Sequence, residues 1–517
     1  MKNSMQIKIG SLLSYLQMGV NILIGLLYTP IMIRMLGSSE YGLYNTVSST
    51  IAMLSILNLG FNASYIRYFS KYKKKNDEES ISKLNGLYII IFMVIGFVGF
   101  ICGLFLSFNL NLVFDQGLTA AEYETARVLM LLFTVNLTIS FPMSVFQSII
   151  SAHEKYVFLK SVGILRTVFS PLLTLPLLLL GYRSIAMITV TICVSIVADI
   201  AYLIYSKKFL KISFKFSGFE SGLFKSMLIF TSFIAINLIV DQVNNNMGKF
   251  LLGRYMGTTA VAVYSVGYTL YQYYTLFSST ISGVFAPRIH RIVNETNEDV
   301  NKMKQNLTEL FSKVGRIQFL ILSLISSGLI FFGKPFISFW AGEEYAESYY
   351  VAILLIIPSS IALIQNLGLE IQRAQNKHKF RSLAYVIMAL INLSLTVFLC
   401  QKFGATGAAI GTAASFVIAN GFIMNIYYHK KCNINIIYFW KSILKMSRGL
   451  VLPVVFGTGI NILVDFNGAT WKMFAGILGY AMIYVVSMWF FGMNQYEKSL
   501  LIDFTGKMVN VFRRHKR

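Results

Sequence analysis

Asn237, Asp241, Asn245 and Lys249 recur every four residues, so on a helix they form one polar stripe that contains an acid and ends on a base. Asn244 and Gly248 flank it. The surrounding stretch is apolar, and a charge at mid-bilayer costs about 2.5–3.5 kcal/mol on insertion scales, so this face is ill suited to lipid. Two uses fit: the wall of a wet cavity, or a relay from Asp241 through Asn245 to Lys249 that fastens helices together. A second stripe, Tyr264, Tyr268, Tyr271 and Thr275, offers aromatic faces with hydroxyls attached, which suits sugar rings. Tyrosines also gather at membrane interfaces, which explains a pair better than a cluster extended by Tyr273 and Tyr274. Gln17, Asn21 and Tyr28, then Ser55, Asn58 and Asn62, then Gln365, Asn366 and Glu370 could line the same cavity. Arg34, Arg67, Arg254, Arg288 and Arg373 stand near helix ends. Arg67, Arg288 and Arg373 read most simply as snorkelling anchors.

The elements that must position these residues follow from composition. The 517 residues are 56% hydrophobic and 13% charged, with mean hydropathy +0.63, which indicates an all-α polytopic membrane protein without a soluble domain. A net charge of +23 would suggest nucleic acid in a soluble chain. In a membrane protein its placement decides, and no nucleic-acid partner is expected. Cys102, Cys193, Cys400 and Cys432 are far apart, so neither a disulfide framework nor a thiolate site is expected, and they read as packing residues. The first 30 residues hold an apolar run too long for a signal peptide and read as a spanning helix.

A crossing needs about 20 mostly apolar residues. Fourteen segments qualify: 12 to 36, 41 to 66, 84 to 108, 126 to 151, 157 to 180, 184 to 206, 226 to 252, 258 to 286, 314 to 333, 348 to 372, 382 to 401, 405 to 428, 449 to 466 and 472 to 492. With both termini in the cytoplasm, 36 of the 45 Lys and Arg fall on cytoplasmic segments, as the positive-inside rule requires. Arg34 and Arg254 stand on the outer side against that bias, which marks them for anionic head-group contact. All five histidines fall in cytoplasmic segments, so no metal cluster is expected. Val300, Met303, Leu307, Leu310 and Phe311 share a helical face, as do Leu501, Phe504, Met508 and Val511; both are expected to lie on an anionic leaflet.

The chain also repeats itself. Arg34, Gly37, Ser38, Ser39 and Tyr44 recur 220 residues later as Arg254, Gly257, Thr258, Thr259 and Tyr264. Ala152 and Lys155 recur as Ala374 and Lys377, and Gly181, Ala186 and Thr189 as Gly404, Ala409 and Thr412. Spans one to six thus match spans seven to twelve. Six crossings return the chain to its starting side, so the copies are parallel and pair about an axis along the membrane normal, as in transporters that rock around a central cavity. The expected organisation is a six-helix lobe over 1–215, a second over 216–430, and two extra helices with a basic tail over 431–517.

Residues 28 to 72, YTPIMIRMLGSSEYGLYNTVSSTIAMLSILNLGFNASYIRYFSKY, resemble the amino-terminal signature of bacterial polysaccharide flippases. The pattern is a proline-bearing helix, Arg34, Leu36 and Gly37, an expected turn at Glu40, Tyr41 and Gly42, then Leu59, Gly60 and Arg67. The likeness is to the polysaccharide transport branch of the multidrug, oligosaccharidyl-lipid and polysaccharide exporter superfamily. It implies two lobes around a V-shaped cavity in the bacterial cytoplasmic membrane, and transfer of an undecaprenyl-diphosphate-linked oligosaccharide to the outer leaflet. Arg34 and Arg67 match motif positions, and Arg288 corresponds loosely to a functional cavity arginine. No bound cofactor is implied. Proton or sodium coupling would fall to Asp241, Asp199 or Glu370, and polysaccharide polymerase and chain-length proteins are partners to expect.

Three rival readings remain, of which a non-catalytic assembly or scaffold membrane protein would not need the charged stripe. A drug or toxin extruder of the same superfamily would usually stop at twelve spans. A membrane glycosyltransferase or polymerase of the common metal-dependent type would need an Asp-x-Asp pair, and no two of the seven aspartates stand two apart.

Overall fold

The computed structural model describes residues 3–114, 118–219, 222–295, 299–375, 377–466 and 470–502, and these contain helices and turns but no strand. A bilayer interior supplies no water to backbone N–H and C=O groups, so each crossing closes its hydrogen bonds on itself. The helices are α1 (Asn3–Met53), α2 (Phe61–Lys74), α3 (Glu78–Phe108), α4 (Ala120–Ala152), α5 (Tyr156–Leu179), α6 (Arg183–Ile204), α7 (Leu223–Tyr255) and α8 (Thr258–Glu295). They continue as α9 (Val300–Trp340), α10 (Ser348–Ile364), α11 (Leu367–Ala374), α12 (His378–Phe416), α13 (Met424–Lys431), α14 (Ile436–Ser447), α15 (Val451–Leu463) and α16 (Thr470–Ser487). Among the described residues, nine helical stretches are long and apolar enough to cross a membrane, and eleven if each of two bent pairs is one span. Leu179 and Leu463 keep 76% and 84% of their surface uncovered by protein, an arrangement that acyl chains satisfy and water does not. This is a multi-pass membrane protein.

Several reversals are made at glycine, others at Asn76, Glu154 and Asn433, which also have positive φ. α1 continues through Gly37, whose φ of 76° and ψ of 168° lie in a region that is essentially glycine-only. Gly181 (φ 87°), Gly257 (φ 82°) and Gly404 (φ 56°) also have positive φ. A Cβ at Gly37, Gly181 or Gly257 would meet nothing within 4 Å, so backbone conformation rather than crowding demands glycine there. The turn expected at Glu40, Tyr41 and Gly42 is not there: the chain has already turned at Gly37, and these three are helical. Glu40 instead accepts hydrogen bonds from the Ser184 amide (2.9 Å) and Arg183 (3.3 Å), fixing the start of α6. Gly42 admits the Thr258 carbonyl, which a Cβ would approach to 1.8 Å. At α4–α5 the Lys155 amide donates to Ile150 at 3.1 Å, and at α11–α12 the Lys377 amide donates to Gln372 at 2.8 Å.

Two compact units form, Met1–Val266 with Tyr385–Thr412, and Gly267–Ala384 with Ala413–Arg517. The first is packed around Tyr65, Tyr88 and Phe92 and around Leu43, Val47 and Leu129. The second is packed around Leu307, Phe311, Val314, Tyr428 and Phe439. Met303, Leu307, Leu310 and Phe311 therefore do not lie on a leaflet as expected; protein covers that face of α9, and only Val300 of the set is exposed. Phe504, Met508 and Val511 of the other expected surface helix lie outside the described residues. Cys400 and Cys432 are buried and Cys102 half-buried, but Cys193 is exposed rather than packed in the core.

One ion pair in the second unit is buried. Arg316 of α9 and Glu497 are 6% and 3% exposed; Nη2 donates to Oε2 at 2.8 Å and to the Gly492 carbonyl at 3.0 Å, and Nη1 donates to the Ser442 carbonyl at 2.9 Å. This anchors the segment around Gly492 and Glu497 to α9 and α14. Glu497→Leu alone should destabilise the purified protein by about 3–5 kcal/mol, because it strands a buried cation. Adding Arg316→Met should recover at least half of that loss in a thermal or denaturant melt; equal losses would show that the pair is not the source.

Candidate functional site

In the first unit α7 follows Gly222 (φ 86°) and bends by 43° between Ser232 and Ile234. Asp241 and Asn245 are exposed and Asn237 and Lys249 half-buried, while Val240 and Leu251 on a different face are buried. The middle of the stripe is thus uncovered by protein. Asn244, beside it, accepts from Asn392 Nδ2 of α12 at 3.0 Å, and Asn392 Oδ1 accepts from Thr396 at 3.0 Å and Thr412 at 3.2 Å. Tyr264 hydrogen-bonds Thr412, and its hydroxyl would lie 3.0 Å from a Cβ placed on Gly248. Asn392 escaped sequence reasoning because one amide in an apolar run shows no spacing; the available signal was simply its burial cost in a span.

The arginines of this unit differ. Arg34 is exposed one helical turn before Gly37, and Arg67 is exposed with its guanidinium 4.2 Å from the Phe230 ring centre. Arg254 Nη1 donates to the Leu112 carbonyl at 2.9 Å, so part of its guanidinium is already held by the fold. Ser39 and Thr258, at the two repeated hairpins, both donate to Glu122, which also caps α4 with Thr119. Asn62 accepts from Ser148 at 3.1 Å, and Asn58 keeps a buried carbonyl oxygen with no protein partner. Asp199 of α6 is 5% exposed, with Gln147 Nε2 at 3.5 Å.

In the second unit Tyr268 is buried and Tyr271 half-buried, with rings 5.6 Å apart and Phe416 6.1 Å from Tyr271. Tyr274 is buried and shares a 2.7 Å hydrogen bond with Ser360, a packing role. Arg288 is exposed. Gln365 and Asn366 stand at a 42° bend between α10 and α11, where Gln365 donates to Asn425 at 2.8 Å and Asn366 to Ser278 at 3.2 Å, so they tie the bend to α13 and α8. Glu370 pairs with Arg373 at 2.6 Å. Among the described residues no group of three or more His, Cys, Asp or Glu could hold a metal ion. Burial pushes the Cys432 thiol up to about 12, which keeps it protonated and unreactive.

Chemically, a row of amides with one acid and one base, uncovered at Asp241 and Asn245, can exchange hydrogen bonds with sugar hydroxyls and offset the loss of water. Asn392→Leu should lower thermal stability by about 1–3 kcal/mol, since Asn244, Thr396 and Thr412 lose a partner. Asn245→Leu should change it by less than half as much, and the reverse order in a melting series would move the structural role to the stripe.

Residues 9–293 match the family model described as polysaccharide biosynthesis protein. The chain is 21% identical over 407 residues to a putative O-antigen transporter of Shigella flexneri, covering 78% of this chain and 92% of that one. It is 24% identical over 267 residues to a probable low-salt glycan biosynthesis flippase, Agl15, of Haloferax volcanii, covering 50% and 54%. Among solved structures, the lipid II flippase MurJ in an inward closed conformation superposes with a TM-score of 0.66 at 16% identity, over 93% of this chain and 97% of that one. The Vibrio cholerae MATE transporter VcmN in its bent form gives 0.55 at 14% identity, over 84% and 99%. These likenesses show a fold shared with both transporters.

Proposed function

Because the chain belongs to the polysaccharide biosynthesis protein family, we propose that it flips an undecaprenyl-diphosphate-linked oligosaccharide from the inner to the outer leaflet of the bacterial cytoplasmic membrane. Asp241 and Asn245, the uncovered middle of the stripe that runs from Asn237 to Lys249, carry this reading. Each glycan hydroxyl buried without a partner costs about 1–3 kcal/mol, so unassisted crossing is prohibitive and a polar wall removes the barrier. The diphosphate needs cations, for which Arg34, Arg67, Arg254, Lys249 and Arg288 are the candidates. Asn58, Asn62, Tyr264, Tyr268 and Tyr271 complete the proposed lining. The protein is a transporter, not an enzyme. The family match favours a glycan over the cationic drugs of the related extruders.

The proposed organisation has fourteen crossings in two parallel six-helix lobes, 1–215 and 216–430, followed by a helix pair and tail over 431–517. Glycines at the repeated positions 37 and 257, and 181 and 404, all have positive φ, which supports the repeat. The 66-residue stretch Ile9–Lys74 contains the break at Gly37 and the 52-residue stretch Phe380–Lys431 that at Gly404, so each supplies two crossings. Adding the two bent pairs and α8 reaches fourteen. In this reading both termini lie in the cytoplasm, which the distribution of Lys and Arg supports. Alternating access is driven, in this reading, by proton or sodium exchange at Asp241, Asp199 or Glu370, with polymerase and chain-length proteins downstream.

A deletion strain should accumulate complete lipid-linked repeat units on the inner leaflet, identified by mass spectrometry; unfinished units would point to synthesis instead. In complementation, Asp241→Ala and Lys249→Ala should reduce surface glycan more than protein abundance, whereas parallel loss of both would return them to a structural role. Arg34→Glu and Arg254→Glu should abolish export while Lys at either position retains part of it. Normal export by the Glu variants would remove both arginines from the mechanism.

A further inference from the structure

The helix pair α15–α16 has no part in the glycan path just described, yet it borders two cavities in the second unit. A cup of about 760 Å³ lies where the ends of α9 and α15 meet the start of α16, lined by Lys334, Glu343, Asn461, Asp465 and Thr470 among others. Beside it is a groove of about 470 Å³ lined by Phe456, Ile460, Leu463, Val464, Trp471 and Gly476, with Lys472 at its rim. Val464 and Asp465 belong to both, so the cup and the groove share a wall. Leu463 and Trp471 are 84% and 70% exposed, and a Trp at a helix end is the residue that favours the head-group level of a bilayer. Lys334, Glu343 and Asp465 are also exposed, so the cup is open to a head group arriving from the membrane surface.

A polar cup joined to an apolar groove has the two-part shape of an amphiphile. The cup's charges are one cation and two carboxylates, which complement a phosphate beside an ammonium. We propose that α9, α15 and α16 hold a resident amine-bearing zwitterionic phospholipid of the phosphatidylethanolamine type. Its phosphate lies toward Lys334, its ammonium toward Glu343 and Asp465, and an acyl chain lies along the groove beside Leu463 and Trp471. Asn461 shapes the cup rather than the ligand contact: its Nδ2 donates to the Phe331 and Gly457 carbonyls, both at 3.0 Å. An anionic phospholipid without the ammonium would meet two carboxylates, so the cup discriminates by head group. The orientation proposed above puts this cup at the outer leaflet, but head-group preference does not depend on that orientation or on glycan flipping.

The test uses the full-length protein in nanodiscs of equal phosphatidylethanolamine and phosphatidylglycerol, with retained lipids read by native mass spectrometry. The wild type should retain phosphatidylethanolamine in preference to phosphatidylglycerol. The double variant Glu343→Gln, Asp465→Asn should lower that preference by about fivefold, the scale of exposed charge contacts. Lys334→Gln should reduce retention of both lipids together, and Leu463→Ser with Trp471→Ser should reduce retention without changing the preference. Equal retention of the two lipids by the wild type would overturn the proposal, as would an unchanged preference in the carboxylate variant. Competition by glycerophosphoethanolamine as effective as that by the intact lipid would remove the groove from the site and overturn the lipid assignment.

Discussion

In a hydrocarbon solvent an unpaired peptide group has nowhere to go, and every other feature of this chain is an accommodation to that fact. Helices run on without interruption where side chains allow, and all eight prolines fall inside helices, at Pro30, Pro142, Pro171, Pro176, Pro287, Pro335, Pro358 and Pro453. Several reversals fall at glycines that reach positive φ without a steric penalty. Gly37 and Gly404 are such points inside two of the longest helices. Their neighbours then hold the turned segments together: Glu122 receives hydroxyls from Ser39 and Thr258, and Glu40 receives the start of α6.

Polar side chains inside the spans divide into two populations. Asn392, Thr396, Thr412, Gln365, Asn366 and Asn425 have partners within their own unit and act as fasteners. Asp241 and Asn245 also take part in interactions but stay exposed. That contrast is a better guide to transport than polarity alone, because a fastener needs burial and a substrate contact needs access. It also separates the members of span ten from those of span seven, which look alike as text.

Hydropathy and periodicity made the helical membrane class legible, since each depends on local composition, and the repeat was legible because Gly37 and Gly257, at matching positions, both stand at positive φ, which glycine reaches most easily. The signature around Glu40 and Gly42 was read as a turn when its glycine serves close approach to Thr258; one residue type answers to two different constraints, and spacing cannot tell them apart. The apolar face of Val300, Met303, Leu307, Leu310 and Phe311 was legible as amphipathic, but whether lipid or protein covers it depends on α14, more than a hundred residues away. Asn392 and Glu497 were invisible for the same reason, because their partners are set by tertiary packing.

The Arg316–Glu497 contact joins residues 181 positions apart. A ribosome adding about 5–20 residues per second releases the carboxylate roughly ten to forty seconds after the guanidinium. Throughout that interval the nascent chain carries a cation in a place built for a neutral couple, so this seam of the second unit waits for Glu497 to be made. Closure of this seam is thereby tied to synthesis of the segment that carries Glu497.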